Sequence, residues 1–155
     1  MSSLPRSTAS ILTAMNKTEG TVEIRVRYPE CDPMGVAHHA AYPIWFEIGR
    51  TELCRASGIS YRDLEASGVF LAVVALEVRY HAAARYDDVL TLHTTLARAT
   101  RVRLDHTYRL LRGDELLTTG RATLACLDRS GRPALLPESL QFLQTPFGNE
   151  SERGD

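Results

Sequence analysis

The chain predicts an α+β fold in which a curved antiparallel β-sheet wraps one long central α-helix, and three observations carry that prediction. A segment of strict alternation comes first, a long stretch that is apolar on more than one stripe follows, and four strand-like segments joined by short links fill the second half. A sheet of that size needs one face covered, and the apolar helix is the only element long enough to cover it. With 155 residues, 44% of them apolar, the chain has material for one domain with a substantial core.

From Thr21 to Tyr28, Val22, Ile24, Val26 and Tyr28 alternate with Glu23, Arg25 and Arg27, the period of a half-buried strand. A loop, Pro29–Gly35, leads to a helix expected from about His39 to Ser57. Ala40, Ala41, Ile44, Trp45, Phe46, Ile48, Leu53 and Cys54 give it apolar character on more than one side, as for a helix largely enclosed by the protein. Pro43 is tolerated in its first turn and Gly58 supplies its stop. Ser60 is placed to cap a second short helix that ends at Ser67-Gly68. Strands are expected at Val69–His81, Val89–Ala97, Val102–Leu111 and Leu116–Leu127, with Gly113-Asp114 and Ser130-Gly131 as turns, and a closing helix at 137–143. Their short links suggest a meander of four antiparallel strands. One domain is expected over 21–147, between a flexible extension at 1–20 and a flexible tail at 148–155. The edges of such a sheet want covering, which points to a homodimer or homotetramer.

Composition narrows the functional classes. A formal net charge of −1 with scattered basic residues argues against nucleic-acid or anionic-membrane partners. Cys31, Cys54 and Cys126 are odd in number and widely spaced, so neither a disulfide framework nor a zinc site is expected, and a cytoplasmic location is the natural one. No apolar run reaches the length of a membrane span, and Ile11–Met15 is too short for a signal-peptide core.

The residue with most chemical content is Asp32, in Pro29-Glu30-Cys31-Asp32-Pro33-Met34-Gly35, seven residues before the helix is expected to start. Helix starts carry backbone N–H groups without intrahelical partners. Such donors can hold a carbonyl oxygen while a carboxylate attacks the carbonyl carbon or activates water to do so. Taken alone, Asp32 is as easily a turn residue before proline or a helix-capping carboxylate. Gly35 gives the loop a sharp bend and room for a substrate to approach.

Several blocks together resemble a known family: Arg27-Tyr28, Asp32-Pro33-Met34-Gly35-Val36, His39-Ala40-Ala41-Tyr42, Phe46-Glu47-Ile48-Gly49-Arg50-Thr51-Glu52 and Val78-Arg79-Tyr80-His81 through Asp88. Over about residues 21 to 143 the chain is similar to the 4-hydroxybenzoyl-CoA thioesterase family, which includes the acyl-CoA thioesterases associated with the bacterial Tol–Pal system. The resemblance implies a hotdog fold, hydrolysis of an acyl-CoA, no metal or organic cofactor, and dimers or tetramers with sites near subunit interfaces. It maps the catalytic aspartate onto Asp32, and onto His39 the helix-start position whose backbone N–H polarises the thioester carbonyl.

Other residues invite competing readings. His38 and His39 point about 100° apart on a helix and would chelate a metal poorly. Glu47 reads as a buried structural carboxylate paired with Arg50, and Cys31 as a small filler rather than a nucleophile. Arg101 and Arg103 share strand parity, so they either grip a CoA phosphate or decorate an exposed polar face. Whether Asp32 is nucleophile or general base stays open. So do two rival functions: a hotdog hydratase or dehydratase using His39 with Asp32, and a non-catalytic acyl-CoA binding module.

Overall fold

A computed structural model describes residues 18–137. Its elements in chain order are β1 (Glu19–Arg25), a 3-10 turn (Tyr28–Glu30), α1 (Ala41–Ala56), α2 (Tyr61–Ala66), β2 (Phe70–Tyr80), β3 (Val89–Ala99), β4 (Arg103–Arg112) and β5 (Glu115–Leu127). The strands form one antiparallel sheet in the order β1-β3-β4-β5-β2, with α1 against its apolar face. Register shifts at Val73/Ala75, Leu96/Arg98 and Leu110/Leu111 interrupt the ladders, and such irregularities bend strands around what they cover.

The expected four-strand meander is corrected to three. Link lengths give the reason: residues 100–102 join β3 to β4 and 113–114 join β4 to β5, whereas 81–88 separate β2 from β3. The longer link carries the chain across the sheet, so β2 pairs with β5 at one edge and β1 with β3 at the other. β1 also starts earlier than Thr21, with Glu19 and Gly20 in register with Thr95 and Thr94. It ends at Arg25, because the 3-10 turn before Asp32 takes Tyr28, which is 78% exposed instead of half-buried. The closing helix expected at 137–143 lies, apart from Pro137, outside the described residues.

Two glycines let α1 lie close on the sheet. A Cβ at Gly49 would collide with Thr94 Oγ1 and come within 2.8 Å of Leu92 Cδ2, and one at Gly120 would collide with the Phe46 ring. Phe46 in turn stacks on Tyr108, ring centroids 4.3 Å apart. The buried residues of α1 are Ala41, Tyr42, Trp45, Phe46, Gly49, Arg50 and Leu53, a single stripe. The expectation of a helix enclosed on several sides is corrected accordingly: Ile44 and Ile48, one turn apart, are 56% and 41% exposed.

Candidate active site

The Asp32 loop is a small hairpin. Cys31 bridges Ala37, Asp32 N–H donates to Val36 O (2.9 Å), His38 N–H donates to Glu30 O (2.8 Å), and the turn closes with Gly35 N–H on Asp32 O (3.0 Å). Gly35 takes φ +77°, a left-handed conformation that glycine adopts without cost. The Asp32 carboxylate accepts from Met34 N–H at 2.8 Å, so the side chain is oriented by its own turn.

Glu30 holds this hairpin against the helix. Its carboxylate accepts from Arg27 N–H (2.8 Å) and from the Trp45 indole N–H (2.7 Å). Burial pushes the Glu30 carboxyl up, but the Arg27 backbone, the Trp45 indole and the Arg27 guanidinium together bring it below its ordinary value. The far side of the loop leans on residues 81–88, through Ala37 N–H to Ala84 O (2.8 Å) and a Val36–Arg85 bridge. That link is pinned by Arg112, whose guanidinium donates to Ala83 O (3.2 Å) and Asp88 Oδ2 (2.7 Å).

His39 lies two residues before the first helical residue, so the expected helix start shifts to Ala41. The turn between them decides which donors are free. Ala40 N–H donates to His38 Nδ1 (3.0 Å), and Ala41 N–H donates to His38 O (2.9 Å). Ala40, at the N-cap, offers no side-chain acceptor, and Pro43 has no N–H. The His39 N–H has no partner among the described residues, while His39 O accepts from the Tyr80 hydroxyl at 3.1 Å. The imidazole of His39 lies against that of His38, centroids 4.1 Å apart. Glu30, Trp45 and Tyr80 were missed as site-positioning residues, because their pairing joins three separate segments and leaves no local pattern.

Cys31 packs on the core at the base of the hairpin. Burial pushes its thiol up, and the Glu30 and Asp32 carboxylates push it the same way, which opposes nucleophilic use. Among the described residues no three His, Cys, Asp or Glu side chains gather as metal ligands would. No helix among them is long and apolar enough to cross a membrane.

Arg101 and Arg103 lie elsewhere. Tyr80, tied to the helix start, pairs with Thr118 and through it with Leu110, whereas Arg103 pairs with Ala125 at the far end of β4. Seven residues of strand, roughly 24 Å, separate the two levels. The shared parity is corrected too, since Arg101 sits in the turn before β4. Arg103 instead joins Arg98 and Arg121 in a depression on the outer sheet face. Glu47 and Arg50 do pair, at 3.7 Å, but with burial reversed: the Arg50 side chain is 8% exposed and that of Glu47 is 65% exposed.

Comparison with known proteins agrees with this architecture. Residues 26–142 match the model of the thioesterase-like superfamily. An acyl-CoA thioester hydrolase of Escherichia coli, YbgC, is 33% identical over 128 residues, covering 81% of this chain and 96% of the relative. A putative acyl-CoA thioesterase of Bacillus subtilis, YneP, is 42% identical over a shorter stretch of 72 residues, and that match spans about half of each protein (46% and 52%). Among solved structures, a DHNA-CoA thioesterase from Staphylococcus aureus superposes with a TM-score of 0.74 at 32% identity, covering 76% of this chain and 80% of the other. A protein from Thermus thermophilus superposes at 0.76 with 36% identity, covering 81% and 95%. With its five-stranded antiparallel sheet closed over α1, the chain belongs to the thioesterase-like superfamily and has its hotdog fold.

Proposed function

We propose that this thioesterase-family enzyme hydrolyses the thioester bond of an acyl-CoA, with the carbonyl oxygen at the uncapped start of α1 and Asp32 delivering the attack. The carrying observation is the unpartnered His39 N–H beside a hairpin that presents Asp32. The oxygen accepts that N–H as negative charge builds on it, aided by the positive end of the helix. Asp32 then acts in one of two ways. As nucleophile it bonds to the carbonyl carbon, expels the CoA thiolate and leaves a mixed anhydride for water to cleave. As general base it takes a proton from water, whose oxygen adds to the carbon before the thiolate departs with a proton. A single turnover in oxygen-18 water distinguishes them, since label in the Asp32 carboxylate requires the anhydride. A hydratase would need an imidazole over the substrate's α and β carbons, whereas the His39 ring lies tilted against that of His38. Release of free thiol from crotonyl-CoA in step with the loss of enoyl-thioester absorbance supports hydrolysis; loss of that absorbance without thiol overturns it.

The assembly we propose is a two-fold dimer through β2. That strand is a sheet edge, Val73, Val74 and Leu76 on it are 45–54% exposed, and Ile44 and Ile48 of α1 are exposed as well. Antiparallel pairing of two β2 strands sets the Phe70 end of one copy beside the Tyr80 end of the other. The arginine end of the second copy, with Arg101 and Arg103, then stands at the Asp32 end of the first. In that setting the two arginines are candidates for the CoA phosphates. Changing both to alanine is expected to raise KM for an acyl-CoA and leave kcat nearly unchanged.

A further inference from the structure

A second polar centre lies inside the protein, away from the Asp32 hairpin. Between the C-terminal half of α1, α2 and the sheet is a cavity of about 30 Å³, lined by leucines and by Arg50, Ser57, Tyr61 and His106. A single water needs about 10–15 Å³ of such space, so this cavity is large enough for a small guest. Phe46, Trp45 and Tyr42, all buried, fill the space under α1 between it and the helix start.

The polar groups around it are under-satisfied in one direction. Two of its lining residues, Arg50 through Nε and His106 through Nδ1, carry buried nitrogens without a well-aligned hydrogen-bond partner among the described residues. Tyr61 and Tyr108 both lie against the Arg50 guanidinium, and its charge and hydrogen bonding oppose the rise that burial imposes on their hydroxyls, yet neither brings it an opposite charge. Among the described residues the only carboxylate within ion-pair distance of Arg50 is Glu47, at 3.7 Å from Nη2, and its side chain is 65% exposed to water. No carboxylate of the described residues lines the cavity. His106 adds no positive charge: burial, then the nearby Arg50, bring its pKa down to about 4, against a weaker upward pull from Asp105. A guanidinium is always charged, and an interior charge is tolerated when an opposite charge and hydrogen-bond acceptors meet it. Water satisfies the N–H but brings no charge; a small anion does both.

We propose that the Arg50 cavity binds a small monovalent anion, a halide or a short carboxylate such as formate, between Arg50 Nε and His106 Nδ1. A neutral imidazole can carry its proton on Nδ1 and donate there. The site is independent of thioester chemistry and joins α1 to β4, because Arg50 comes from the helix and His106 from the strand.

The test follows thermal unfolding of the purified full chain at constant ionic strength while sodium gluconate, whose anion is too large for the cavity, is replaced by chloride, bromide, formate or acetate. The expected result is a saturable rise in Tm of at least about 2 °C with one or more small anions, lost in Arg50→Met. The anion that saturates at the lowest concentration distinguishes a halide from a carboxylate occupant. No saturable difference from gluconate, or an equal rise in Arg50→Met, overturns the proposal. Should Arg50→Met not fold, wild-type crystals grown in bromide decide it. An anomalous peak beside Arg50 Nε supports the site, and its absence there overturns it. Neither readout uses catalysis, so failure here leaves the proposed hydrolysis untouched.

Discussion

Two ionisable side chains with opposite surroundings, Asp32 and His106, set the clearest expectations for single residues. Asp32 is partly exposed in a turn that orients it, and Asp32→Asn keeps its size while removing the charge needed for either form of attack. A fall in kcat of at least roughly 10²-fold is expected, with KM changed far less. His39→Ala should be milder, since the backbone donor remains; equal damage by both changes would give the imidazole a chemical role. His106, facing Arg50, Asp105 and Tyr108, is the reverse case. The unfolded chain takes up a proton there near pH 6.5, but the folded chain only near pH 4. The stability it confers is therefore complete above pH 6.5, falls as the pH drops, and levels off below about 4. Urea midpoints across that range should decline more steeply for the wild type than for His106→Gln, by up to about 3 kcal/mol in total. Parallel pH profiles would show that His106 is not held neutral. Asp32 could be singled out from its loop and its family resemblance, but the burial of His106 could not. Strand alternation says which face a residue takes, not what lies on it.

Among elements, the hairpin at 30–38 and α1 meet through one hydrogen bond of particular weight, Trp45 indole to Glu30 carboxylate. Trp45→Phe keeps an aromatic side chain but removes the indole N–H and some buried volume, and leaves the Glu30 carboxylate short of a donor. A loss of about 1.5–3 kcal/mol in urea unfolding is expected, with a lower kcat because the Asp32 hairpin is less firmly held. Unchanged stability and kcat would mean that the hairpin's backbone bonds suffice. The sheet side of the same helix is limited by Gly120, where alanine should cost about 1–3 kcal/mol by forcing the Phe46 ring off Tyr108. Helix and strand types were legible from periodicity, as were Ser60 as a cap, with Asp63 N–H on its Oγ at 3.1 Å, and the Gly113-Asp114 turn. The close approaches at Gly49 and Gly120 were not, because a mid-element glycine does not say what will press against it.

At the scale of the molecule, alternation marks each strand but not its neighbour. The β1–β3 pair joins residues more than sixty positions apart, and nothing local in either strand specifies the other. For assembly the sequence offered only the general argument that sheet edges want covering, and the exposed Val73, Val74 and Leu76 single out the β2 edge. The native chain should sediment as a dimer or larger. Leu76→Lys, a charge on an edge strand, should shift it toward monomer and lower activity together. A fully active monomer at micromolar concentration would sink the β2 interface.

The non-local pairing of β1 also bears on synthesis. Ile24 pairs with Leu90, so at translation rates of about 5–20 residues per second β1 waits roughly 3–13 s for its partner strand to be made. From the moment they are made until that interval ends, Trp45 and Phe46 have no paired sheet to cover them, while β4 and β5 meet their neighbours within a hairpin's length once they emerge. The nascent enzyme is therefore most exposed to aggregation and chaperone capture while only its N-terminal half exists. The Asp32 hairpin, braced between α1 and residues 81–88, takes its final shape only after that late link has joined the fold.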